Sequence, residues 1–299
     1  MQKFGLSSLL WMCICVVIAD VAVAQAPSDS SSQVIWRVET IDGNEYVGEI
    51  VERTAAYLKI NTQTLGLLQI PMDQIKRVEE IAPDRIKSDG LWLENKYATR
   101  YFLAPSGYGL GRGEAYYQNT WVLFNQFSWG MGRNFSMGFG LLPGFLFGGG
   151  STPVWITPKL SFPAGKQGSR LSFGAGLLAA TSLGDEGGVV GMGYGVMTFG
   201  SRDNNVNVGL GYGVIEGERV KRPTVTISAM VRTGKRGYFI TENYIIPIDD
   251  EVQGVISFGG RLVRKAMAVD LGVFAPITGE TFEFALPWLS VILPMGRSK

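Results

Sequence analysis

The chain is 299 residues long, rich in glycine at 40 residues, and nearly neutral at a formal charge of +1. That balance selects no nucleic-acid or strongly acidic partner. There is no His, and both Cys residues (Cys13 and Cys15) lie in an N-terminal apolar stretch. Once that stretch is removed, disulfides, imidazole or thiolate metal sites, and Ser–His or Cys–His catalysis are excluded.

The N-terminal stretch is the first element. Lys3 precedes an apolar run from Leu9 to Ile18, and Ala22, Ala24 and Ala26 follow. This is the layout of a signal peptide over 1–26, cleaved after Ala24 or Ala26; Asp20 interrupts the run and speaks against a retained anchor. Residues 27–32 are a polar linker. No later segment offers the ~18 uninterrupted apolar residues of a membrane helix.

Residues 33–82 read as a small β domain. Strands are expected at 34–41, 46–51, 56–61, 65–70 and 72–78, with Asp42-Gly43 as the first hairpin turn. Residues 83–96 are a charged connector. From Tyr97 to Leu293, apolar residues alternate with small or polar ones, broken by short turns. Val206, Val208, Leu210, Tyr212 and Val214, for example, alternate with Asn207, Gly209, Gly211 and Gly213. Period two is the mark of a strand with unlike faces. Strands are placed at 97–104, 115–129, 135–147, 154–162, 170–181, 189–200, 206–215, 223–232, 238–246, 252–263, 266–275 and 281–293. The fold class is therefore all-β, an antiparallel transmembrane β-barrel over 97–299 of about 12 strands, with ten as the main alternative.

Facing follows from the alternation. Leu171, Phe173, Ala175 and Leu177 oppose Ser172, Gly174 and Gly176; Val154, Ile156 and Leu160 oppose Thr157, Lys159 and Ser161. Met267, Val269, Leu271 and Val273 oppose Asp270, and Phe282, Phe284, Leu286 and Trp288 oppose Glu283. A cationic side chain in mid-membrane costs about 2–4 kcal/mol on the lipid face, so the charged and Gly-rich faces are assigned to the lumen. Trp121, Trp129, Phe145, Phe147, Trp155, Tyr238 and Trp288 lie near strand ends and suit interfacial girdles. The turns sort by charge: alternate ones carry a net +7, and the others a net −5.

Residues 97–293 resemble the outer-membrane β-barrels of Gram-negative bacteria as a class. The resemblance implies a barrel in the outer membrane, the N-terminal domain in the periplasm, and outer-membrane lipid and the barrel-insertion machinery as partners. The chain departs from that class after Leu293, where Pro-Met-Gly-Arg-Ser-Lys stands in place of a terminal aromatic. Asp42, Gly43, Gly48, Ile50, Leu58, Ile60, Ile70, Pro71 and Ile75 are arranged as in small Sm-like or SH3-like barrels. With 8 acidic against 5 basic residues, residues 33–82 suit docking to a periplasmic protein better than RNA.

The function expected is non-enzymatic: a narrow channel or transporter for small solutes, its lumen lined by Lys159, Arg261, Asp270 and Glu283. Asp270 and Glu283 are read as members of a salt-bridge network rather than an acid–base pair. No catalytic, cofactor or metal residue is assigned. The alternatives are a scaffold barrel anchoring the docking domain, and a soluble periplasmic barrel that binds an apolar ligand.

Overall fold

The computed structural model describes residues 34–81, 85–87, 90–92, 95–143, 151–164, 170–184, 188–215, 217–248, 251–264, 267–278, 281–282 and 284–296. The expected signal peptide and linker, Phe145, Phe147 and Glu283 lie outside the described residues. The described chain forms two compact units, one within 25–94 and one from Asn95 onward.

In the first unit, β1 (Ile35–Thr40), β2 (Glu45–Arg53), β3 (Tyr57–Thr62), β4 (Gly66–Pro71) and β5 (Ile75–Ile81) form an antiparallel sheet in the order β4-β3-β2-β1-β5. The β1–β2 turn uses the left-handed conformation at Gly43 (φ +87°), and the Asp42 carboxylate accepts hydrogen bonds from the Thr40 hydroxyl and the Asn44 amide. Inward alternation buries Val38, Leu58, Ile60 and Ile70 as one core. Strand β4 is an edge, with Leu65 and Leu67 exposed beside it.

The second unit is a closed barrel of twelve antiparallel strands. They are β6 (Glu114–Thr120), β7 (Phe124–Gly130), β8 (Phe135–Leu141), β9 (in two pieces, Thr152–Ile156 and Lys159–Ala164), β10 (Leu171–Leu183), β11 (Val190–Gly200), β12 (Asn205–Ile215), β13 (Thr224–Arg232), β14 (Gly237–Ile248), β15 (Glu251–Val263), β16 (Ala268–Thr278) and β17 (Leu286–Gly296). The last strand closes on the first, from Ser290 opposite Thr120 to Gly296 opposite Glu114.

The number agrees with the expected twelve, but two differences cancel to give it. Residues 97–104 are not a strand. Tyr97, Ala98, Tyr101 and Phe102 are buried in a turn-rich segment among the wall side chains. Residues 115–129 are two strands, β6 and β7, joined by a turn at 121–123. That turn has no Gly, Asn or Asp to announce it; Trp121 and Val122 both take positive φ, at 50° and 66°. From residue 130 onward the alternation of ends is as expected. Arg133, Arg170, Arg202, Lys235, Arg236 and Arg264 gather at one end, with Asp203. Most acidic residues expected at the other end lie outside the described residues. Arg112 and Glu114, expected at the acidic end, join the basic end instead, because the Gly113 amide bonds the Gly130 carbonyl.

The two faces of the wall differ as the alternation requires. Phe173, Leu177, Met197, Val208, Leu210, Tyr212, Phe258 and Leu271 point outward and are exposed. Ser172, Thr198, Asn207, Ser228, Glu242, Arg261, Asp270 and Ser290 point inward and are buried. A wall with apolar residues outside and polar ones inside belongs in lipid. This overturns the soluble alternative, which needs the apolar rows turned inward. It also corrects the last strand: Leu286 and Trp288 face the lumen, and Leu289 faces out. Residues 286–293 carry large apolar residues on both faces, with Ser290 the one polar side chain, so the alternation orients them only weakly. Trp129 is exposed as a girdle residue, but Trp155 and Tyr238 also turn inward, toward Gln126 and Asp203.

Candidate functional site

Residues 95–113 run through the lumen and fill the half nearer the basic turns. An irregular segment buried in a barrel needs a partner for each of its peptide groups, and the wall supplies them with side chains. The Glu242 carboxylate accepts the Phe102 amide at 2.8 Å and the Leu103 amide at 3.0 Å, and also the Tyr244 hydroxyl. Arg261 donates to the Tyr97 and Tyr101 carbonyls, both at 2.7 Å, while its Nε bonds Asp270 at 2.6 Å. Arg261 and Asp270 stand opposite each other on β15 and β16, and both side chains are fully buried. Lys159 Nζ donates to the Thr99 carbonyl at 3.1 Å and the Tyr108 carbonyl at 2.6 Å.

Further bonds seat the rest of the segment. The Gly107 amide donates to the Thr198 hydroxyl at 2.7 Å, and the Tyr101 hydroxyl donates to Asn205 Oδ1 at 2.5 Å. A Cβ at Gly107 would collide with the Ser172 carbonyl, so only glycine lets the segment lie this close to the wall. Phe102 anchors the turn between Phe274 (5.7 Å between ring centroids) and Trp288 (6.0 Å).

Lys159, Arg261 and Asp270 thus face the lumen, where Lys159 and Arg261 hold the inner segment and Asp270 holds Arg261, rather than line an open passage. The sequence reading missed Glu242, although it sits on β14 in the same kind of apolar run as Asp270 on β16. It missed the inner segment because the buried aromatics of 97–104 imitate a strand, and because the Ser-Gly-Tyr-Gly-Leu-Gly-Arg-Gly run at 106–113 looks like a surface loop.

The other half of the lumen, toward the 121–123 turn, holds a cavity of about 680 Å³, within the ~300–1,000 Å³ range of small-molecule sites. Its walls are largely apolar and aromatic, with Trp155, Leu178, Met192, Val196, Tyr244 and Trp288 among them. The inner segment forms its floor through Thr99, Arg100, Leu103 and Leu110, joined by Lys159 from the wall. At its rim, Trp121 Nε1 donates to the Pro287 carbonyl at 2.7 Å, and the Trp121 ring packs edge-on against Trp288 at 5.0 Å. Positive φ at a non-glycine residue costs about 1–3 kcal/mol; these contacts offset that cost and fix an indole at the cavity mouth.

The fold is that of an outer-membrane-type β-barrel. No family model and no curated protein matches the chain. Among solved structures it is similar to an outer-membrane expressed OmpT of Vibrio cholerae, with 9% identity and a TM-score of 0.33, over 89% of this chain and 95% of that one. The barrel assignment stands on the strand pairing and the outward apolar rows, independently of that likeness.

Proposed function

We propose that the chain is a non-enzymatic outer-membrane barrel that takes a small apolar solute into its lumen from the end bearing the 121–123 turn. Residues 95–113 close the opposite end, so the protein acts as a plugged transporter rather than a standing channel. The observation that carries this reading is the mainly apolar cavity above a floor built by the inner segment. A water-filled channel wants polar walls through its whole length; here the charged wall residues Arg261, Glu242 and Lys159 are occupied by the segment, and Asp270 is paired with Arg261.

The test is equilibrium binding of a neutral apolar probe, dodecanol, to the protein in a neutral detergent, followed by tryptophan emission. Trp121, Trp155 and Trp288 line the site and report on it. Saturable binding is expected, with affinity falling about tenfold or more in Ala180→Phe, which fills the cavity. Binding that is absent, or indifferent to Ala180→Phe, contradicts the reading.

A further inference from the structure

The floor of the cavity carries positive charge that no described side chain neutralises. Arg100 is 7% exposed, and its guanidinium lies over the Tyr116 ring at 4.7 Å. Its Nη2 is buried without a hydrogen-bond partner among the described residues, as is the Thr99 hydroxyl. Lys159 is 8% exposed. An ammonium has three donors; Lys159 uses two, on the Thr99 and Tyr108 carbonyls. All three residues line the cavity.

Charge pairing in the lumen leaves these cations in excess. Among the described residues, Arg261 pairs with Asp270 and Arg232 pairs with Asp203. Glu242 is the remaining buried carboxylate, and it is engaged by the Phe102 and Leu103 amides and the Tyr244 hydroxyl. Arg100 and Lys159 therefore face at most one carboxylate between them, and neither touches it. A buried cation without an anion is costly. A monoanion in the cavity would restore the balance, and a guanidinium presents its donors in the fork that matches a carboxylate.

We infer that the cavity takes a single-chain amphiphile with a carboxylate head, the head on Arg100, Lys159 and Thr99 and the tail along Trp155, Leu178 and Met192. This deepens the uptake of an apolar solute and rests on it. The two are separated by ligands that share one tail: laurate, dodecanol and dodecylamine, titrated against the full mature chain in neutral detergent by calorimetry and tryptophan emission.

Laurate is expected to bind about tenfold or more tightly than dodecanol, the range of a charge-assisted hydrogen bond, with dodecylamine weakest. Arg100→Gln is expected to bring laurate down to the level of dodecanol measured in the same variant. Should that variant not fold, Thr99→Val, which keeps both cations, is expected to narrow the gap; the comparison in the unmodified protein decides in either case. Equal binding of laurate and dodecanol overturns the carboxylate head while leaving the apolar reading intact. A laurate preference untouched by Arg100→Gln or, in its place, Thr99→Val puts the head elsewhere and overturns the assignment. No binding of either overturns both readings.

Discussion

Deleting residues 97–110 is expected to turn a silent barrel into a conducting one. In planar bilayers the intact chain should give no steps above background, because residues 95–113 occupy the half of the lumen nearer the basic turns. Without 97–110, Lys159, Glu242 and Arg261 lose their peptide partners, and together with Asp270, which keeps Arg261, become water-facing groups on a pore wall. Twelve strands enclose more space than the side-chain-filled eight-strand barrel. Discrete conductance steps should appear in the deletion variant. Steps in the intact chain, or none in a deletion variant that still shows heat-modifiable mobility in gels, would contradict the seating of the segment.

The second large effect concerns Arg261. Substituting Arg261→Met leaves Asp270 buried without its cation and removes the donors to the Tyr97, Arg100 and Tyr101 carbonyls. Removing one member of a buried pair costs about 3–5 kcal/mol, and this pair has no exposed side-chain surface. Urea unfolding of the protein in lipid vesicles should show a loss of that size. The double variant Arg261→Met with Asp270→Leu should recover a good part of it, since the lone carboxylate is gone and only the carbonyls stay unpaired. A double variant as unstable as the sum of the two single ones would show that the residues do not act as a pair.

The barrel was legible in the sequence because lipid outside and a polar lumen inside force the same period-two pattern on every strand. Val206 to Val214 carries it cleanly, with Val206, Val208, Leu210 and Tyr212 outside and Asn207, Gly209 and Gly211 inside. Legibility fails where another constraint produces the same pattern. Tyr97, Ala98, Tyr101, Phe102 and Ala104 are buried in the lumen, and burial in protein and exposure to lipid select the same residue types. The turn at Trp121 and Val122 escapes notice because its conformation is held by tertiary contacts, the Trp121–Pro287 hydrogen bond and the edge-on packing against Trp288, not by turn-forming residues. In β17, Trp288 and Ile292 face inward while Leu289 faces lipid, so both rows carry large apolar residues and Ser290 alone marks the parity.

The candidate site was legible only in part. Lys159, Arg261 and Asp270 stand out as isolated charges in apolar strands, and all three face the lumen. The partners of Lys159 and Arg261 are backbone groups of a segment far away in sequence, and no residue pattern announces a carbonyl as a ligand. Arg100 was hidden for the same reason as its neighbours, by lying inside an apparent strand.

The central claim is a wall with lipid outside and a solute cavity inside, and thiol labelling of single-cysteine variants tests it most directly. With Cys13 and Cys15 replaced by Ser the chain has no other cysteine, so Leu103→Cys and Leu271→Cys can be read separately. Leu103 projects from the inner segment into the cavity and Leu271 projects outward from β16; each is 60% exposed. In lipid vesicles open to reagent on both faces, a charged, membrane-impermeant maleimide should label the cysteine at 103 and spare the one at 271, which should react only with a lipid-soluble maleimide. Rapid labelling at 271 together with protection at 103 would contradict the account.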